Sequence, residues 1–150
     1  MEHEEYMRQA LELARLAMAE GEVPVGCVIV RDGAVVGRGR NRRETAQTAL
    51  GHAELEAIAQ ACRTLGGWRL AGCALYVTLE PCPMCAGAIV NARIPAVYYG
   101  AKDDKAGCCG SVLNLFEERF NHHPRIYGRV LEAECAALLQ EFFQSLRCFN

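Results

Sequence analysis

Two short runs hold the residues most able to do chemistry: His52-Ala53-Glu54, and Pro81-Cys82-Pro83-Met84-Cys85 further along the chain. Cysteines three apart at a helix start can turn both sulfurs toward one place, and a histidine opening a neighbouring helix supplies a third ligand. Zinc accepts that set, at roughly 2.3 Å to sulfur and 2.0–2.1 Å to nitrogen. No fourth ligand stands at motif spacing, and three protein ligands leave a position for water, as a catalytic site requires and a structural one does not. Zinc so held makes hydroxide available near neutrality. Glu54 is then the residue to move protons. Residues two apart do not share a face in mid-helix, but in a first turn both side chains lean over the open end. Glu54 can thus take a proton from water and deliver it to a leaving amine. Free backbone N–H groups at the helix starts favour thiolates and developing negative charge. Each run alone is weak evidence, since Cys-x-x-Cys also serves redox pairs and His-x-Glu at a helix start is ordinary. Their conjunction, in this order and with Cys82 flanked by Pro81 and Pro83, is specific.

The elements that must position these runs follow from periodicity and punctuation. Residues 4–20 carry Met7, Leu11, Ala14 and Met18 at helical spacing against a Glu/Arg face, which predicts an amphipathic opening helix. Residues 25–30 are a β-branched run, Asp32-Gly33 is a hairpin signal, and the return strand ends near Arg40. A polar loop over 41–51 leads to a helix over 52–65, stopped by Gly66-Gly67. A strand over 74–79, a helix over 83–93 and a strand over 96–100 come next, followed by a loop over 102–110. A short helix over 112–118, a fifth strand over 125–130 and a closing amphipathic helix over 131–146 complete the chain. Helix, hairpin and then β-α-β alternation predict an α/β fold: a three-layer α-β-α sandwich on a mixed five-stranded sheet, parallel where a helix crosses over.

The 150 residues are 51% hydrophobic and 23% charged, without repeat or linker-like stretch, so one domain over 1–150 is expected. Disordered, fibrous and membrane-spanning classes are excluded, and an acidic, polar opening unlike a secretory leader makes the cytoplasm the expected location. The nine cysteines are an odd number in a chain with a full apolar complement; they are expected to be reduced, most of them packing as small buried hydrophobes. The net charge of −2 is an average: residues 1–22 carry six acids and two bases, 31–43 five bases and one acid, and 119–129 three bases without an acid. The two basic segments would form a phosphate-binding surface if the fold brought them together.

The blocks Val23-Pro24-Val25-Gly26, Ala53-Glu54, Thr78-Leu79-Glu80-Pro81-Cys82, Met84-Cys85-Ala86-Gly87-Ala88 and the run 103–110 jointly resemble, over nearly the whole chain, the bacterial tRNA-specific adenosine deaminases. These are the wobble-inosine enzymes of the cytidine deaminase-like superfamily, whose zinc signature is His-x-Glu with Pro-Cys-x-x-Cys. The resemblance implies zinc on His52, Cys82 and Cys85, with Glu54 as proton shuttle. It implies a grip on the purine by Asn41 and the Ala53 backbone amide. Asp103 and Asn121 would touch the nucleotides at and beside the wobble adenosine, and Phe142 and Phe143 would form an aromatic pair near the anticodon loop. The implied partner is a tRNA anticodon stem-loop, whose adenosine leaves its stack and is hydrolysed at C6 to inosine. A homodimer is implied across the face near the second cysteine, where Ala86-Gly87-Ala88 allows close approach. The chain departs from the family at Ala49-Leu50-Gly51, where many members have a proline and a threonine, and at Cys108-Cys109, which replace small residues. Two rivals stand: a zinc deaminase of a free base or nucleotide, of guanine or cytosine type, and a non-catalytic zinc-bearing partner subunit. The 103–110 loop, the Asn121-His122 region and the basic segments favour RNA over the first; the intact Glu54 opposes the second.

Overall fold

Apolar stripes and turn residues place the elements in the computed structural model, which describes residues 2–149, with side-chain surroundings for 2–147. Helix α1 (Glu2–Ala19) buries Met7, Ala10, Leu11, Ala14 and Ala17 and leaves its Glu/Arg face to solvent. Strands β1 (Gly26–Arg31) and β2 (Ala34–Arg40) form the predicted hairpin. Asp32 and Gly33 turn it at φ 51° and 77°, the pair of positive values that marks a type I′ turn. After the loop come α2 (Ala53–Leu65), β3 (Cys73–Leu79), α3 (Pro83–Asn91) and β4 (Ala96–Ala101), then β5 (Arg125–Tyr127) and α4 (Glu132–Phe149).

The sheet order is β2-β1-β3-β4-β5. β1 runs antiparallel to β2 and β3, and β3, β4 and β5 are mutually parallel, so the sheet is mixed as expected. The pleat sends alternate residues of β1 to opposite faces. Cys27 and Ile29 join the core under α2 and α3, while Val28 and Val30 join the one under α1 and α4. That division yields three layers, with β1 buried on both faces. No helix of the described residues is long and apolar enough to cross a membrane.

Several boundaries differ from the sequence reading. The expected helix over 112–118 is one 3-10 turn, Leu115–Glu117, capped by the Asn114 side chain and burying only Phe116. β5 ends at Tyr127 because the following chain leaves the extended region, with Arg129 and Leu131 at φ 68° and 51°. α3 stops at Asn91, and Arg93 at φ 62° turns the chain toward Pro95.

Because β3 and β4 are parallel, the connection after β3 emerges at their shared carboxyl end, and α3 begins there. α2 is set close by glycine in β2: any Cβ at Gly39 would collide with the Ala53 carbonyl in the first turn of α2. The starts of α2 and α3 thus meet at the carboxyl ends of the parallel strands, where open α/β sheets place their ligands.

Candidate active site and metal centre

His52 is the N-cap of α2 and Cys82 the N-cap of α3, with Pro83 in the first turn of the latter. Both caps have extended backbones, and neither side chain caps its own helix, so both are free for another partner. Cys85, one turn into α3, is buried. His52 Nδ1 lies 3.6 Å from Cys82 Sγ and 3.4 Å from Cys85 Sγ, and the three donor atoms all lie within 4.8 Å of one another. Tetrahedral ligands at zinc bond lengths stand about 3.6 Å apart, so the triangle has the size zinc needs. Its chemistry agrees. Hydrogen bonding from Cys85, and then from His52, pulls the Cys82 thiol down to about 4. The Cys85 thiol is pushed up by its bond to Cys82 and by burial. The two thiols thus share a proton between them, and a cation at the triangle would favour the thiolate form of both. The donor set is consistent with zinc.

Glu54 occupies the second position of α2 and is buried. Burial pushes its carboxyl up to about 7, with the neighbouring Cys82 adding to the rise against the pull of its own amide. A carboxyl balanced near neutrality is suited to take and return a proton. The extended N-cap carries the His52 side chain off the helical path, which lets residues two apart face one cleft.

That cleft has a volume of about 540 Å³. One wall is Val23, Val25, Asn41 and Arg43; His52, Ala53, Glu54 and Cys82 line it too. Lys102 through Ala106 form the opposite wall, and α4 contributes Leu139 and Phe143. Of the expected site residues, His52, Ala53, Glu54, Cys82, Asn41, Asp103 and Phe143 all line it, with Cys85 completing the donor triangle. Asn121 does not: it lines a separate groove on the outer side of α3 with Met84, Gly87, Ala88 and Phe120. Asn41 and Asp103 also shape their own walls. Asn41 Nδ2 donates to the Val23 carbonyl and its Oδ1 accepts from the Arg43 amide, while Asp103 Oδ1 accepts from the amides of Lys105 and Ala106. Phe142 is buried and Phe143 is 42% exposed, as adjacency on a helix demands.

The basic segments do not merge. β2 and β5 are the two edges of the sheet, four strand spacings or about 19 Å apart. Arg31, Arg40 and Arg42 also pair with Asp32, Glu20 and Glu56, and Arg129 with Glu132. The bases at the cleft are instead Arg43, Lys102 and Lys105, the last two outside both segments.

Sequence reasoning missed two buried carboxylates, Glu22 and Glu80, at 1% and 2% exposure. Glu80 sits within a block that resembles the family and Glu22 immediately precedes one, but their partners are mostly backbone amides, which leave no mark in a sequence. Glu22 accepts from the amides of Glu44 and Thr45 at 3.1 and 2.6 Å. Burial alone would raise its pKa, but these amides outweigh it and hold the carboxyl below its usual 4.5. A depressed carboxylate contributes stability that is complete above the unfolded value and is lost as pH falls through the folded one. Glu22→Gln is thus expected to cost about 1–3 kcal/mol near neutrality, and the difference from wild type should shrink as the pH drops below about 4.5. Denaturant melts across an acid series would measure it.

Comparison with known proteins places the chain among deaminases. The model of the MafB19-like deaminase family matches residues 1–147. The tRNA-specific adenosine deaminase of Bacillus subtilis (strain 168) is 51% identical over 143 residues, which is 95% of this chain and 89% of that protein. A solved structure from a study of A-to-I editing by tRNA:A34 deaminases at the wobble position of transfer RNA superposes with a TM-score of 0.86. It is 45% identical, over 89% of this chain and 98% of that one. A guanine deaminase from Bacillus subtilis is also similar, with a TM-score of 0.66 and 35% identity over 100% of this chain and 96% of that one.

Proposed function

This chain belongs to the bacterial tRNA-specific adenosine deaminases of the cytidine deaminase-like superfamily, and we propose that it deaminates the wobble adenosine of a tRNA anticodon stem-loop to inosine. The observation that carries the reading is the His52, Cys82 and Cys85 triangle in a cleft that Glu54 shares. The chain acts as one deaminase domain over residues 1–150.

His52, Cys82 and Cys85 would hold zinc, which when bound would supply Lewis acidity toward water near neutral pH. Glu54 takes a proton from the attacking water and returns it to the amine leaving C6, so that adenine becomes hypoxanthine and ammonia departs. The Ala53 amide, in the first turn of α2, has no partner within its helix and is free to donate to the purine. Asn41 keeps its second amide hydrogen and a lone pair for the base. Only a base turned out of its stack can enter the cleft, which suits a single-stranded loop.

Asp103 flanks the flipped nucleotide, and Phe143 offers an exposed ring to its neighbour. Stacking of a base on an aromatic ring contributes about 1–3 kcal/mol, so Phe143→Ala should raise KM for the stem-loop about tenfold or more and leave zinc content and kcat near wild type. Steady-state kinetics on the stem-loop checks this. Asn121 belongs to the α3 groove, where Gly87 and Ala88 permit a second copy of the chain to approach closely; the enzyme works as a homodimer built there, in the cytoplasm.

The test of the reading is positional. In a stem-loop with adenosine at the wobble position, mass spectrometry should find inosine there. Moving the adenosine by one nucleotide should abolish the product, and equal conversion at both positions would contradict a wobble enzyme.

A further inference from the structure

The cleft of this chain contains two buried carboxylates, and only one of them, Glu54, is free to work on a proton. Both oxygens of Glu80 are fully engaged. Oε1 accepts from the Asp103 amide at 3.0 Å and from the Ser111 hydroxyl, and Oε2 accepts from the amides of Cys109 and Ser111 at 2.9 and 3.1 Å. A carboxylate offers about four lone-pair sites, so none is left for substrate or metal. Packing agrees, because a Cβ at Gly107 would collide with the Glu80 carboxyl group. Glu22 does the same on the opposite side, accepting from the Glu44 and Thr45 amides next to Asn41 and Arg43.

The loops 41–51 and 102–111 have no ladder of their own to satisfy their buried amides, and these carboxylates replace one. We infer that Glu22 and Glu80 are a matched pair of positioning residues that fix the two walls of the cleft, and so set how tightly the flipped nucleotide is held. The inference rests on the deaminase reading above for the identity of the nucleotide. Glu80 acts through Asp103 and Lys105, and Glu22 through Asn41 and Arg43. Neither touches the reacting atoms, so their loss should weaken ground-state binding and spare the chemical step. A glutamine presents two donors where the carboxylate presents only acceptors, and turns two of the four Glu80 bonds into donor-donor conflicts.

The test uses the zinc-loaded, full-length enzyme and its Glu80→Gln and Glu22→Gln variants, with zinc content and active-site titration recorded for each. Expected is a KM for the anticodon stem-loop raised about tenfold in each variant, with kcat within about threefold of wild type. Ser111→Ala, which removes one bond of the four, should raise KM about two- to threefold and keeps the test open if Glu80→Gln does not fold. Asp at either position should not rescue, being one methylene too short to reach the same amides. A lower active fraction with KM unchanged would mean that the carboxylates merely stabilise the fold, and would overturn the inference. A kcat reduced a hundredfold at constant KM would assign Glu80 to proton transfer and overturn it equally. If the wild type turns over a free purine and not the stem-loop, the substrate reading fails, yet the same split between KM and kcat, measured on that purine, still decides the role of the two carboxylates.

Discussion

Glu54→Ala should retain zinc and lose deamination. Its three neighbours in the donor triangle are untouched by the substitution, so metal content should stay at the wild-type level. A positioned proton carrier contributes about 10²–10⁴-fold to a rate, and here one carboxyl serves twice, at the attacking water and at the leaving amine. The loss in kcat should therefore lie at or beyond the upper end of that range. Glu54→Gln keeps the shape and polarity of the side chain and removes only its titration; an equal loss in both variants would assign the effect to proton transfer and not to a cavity. The burial that pushes Glu54 up to about 7 is what equips it for both transfers. Activity surviving in either variant would dismiss the shuttle.

Cys82→Ser should lose the metal and keep the fold. Serine at the cap position presents a hydroxyl that remains protonated, and the two remaining ligands fall short of the three that catalytic zinc sites keep. Activity should fall to background together with zinc content. The same substitution puts a good N-cap residue where the cysteine makes no capping bond, and such a cap is worth about 0.5–2 kcal/mol to a helix. Compared with metal-free wild type, the metal-free variant should therefore melt no lower. Elemental analysis and thermal melts separate the two effects, and zinc content unchanged from wild type would remove Cys82 from the ligand set.

Much of this site was legible because its residues are local. The ligands stand at helix starts, and helix starts announce themselves through Pro83, the gap between an apolar strand and an apolar helix, and the end of a polar loop. The Asp32-Gly33 hairpin was equally plain, because Asp-Gly is a pair suited to the positive φ at both positions of a type I′ turn. What could not be read depends on strand order or on backbone partners. Two basic segments look alike in sequence, yet β2 and β5 lie at opposite edges, and intervening acids such as Glu20 and Glu56 neutralise part of the first. Asn121 sits within the crossover from β4 to β5, and nothing in its neighbourhood says that the chain carries it to the groove along α3. Glu22 and Glu80 bind amides that any sequence would supply. The short β5 shows the same limit, since the positive φ of Arg129 and Leu131 is not signalled by residues of those types.

The likeness to a guanine deaminase makes substrate choice the central question. Ammonia release should be measured with zinc-loaded enzyme on a wobble-adenosine stem-loop, on free adenosine and on free guanine at matched concentrations. An RNA-directed adenosine deaminase should turn over the stem-loop and leave both free purines at background. Turnover of guanine, with the stem-loop inert, would contradict it.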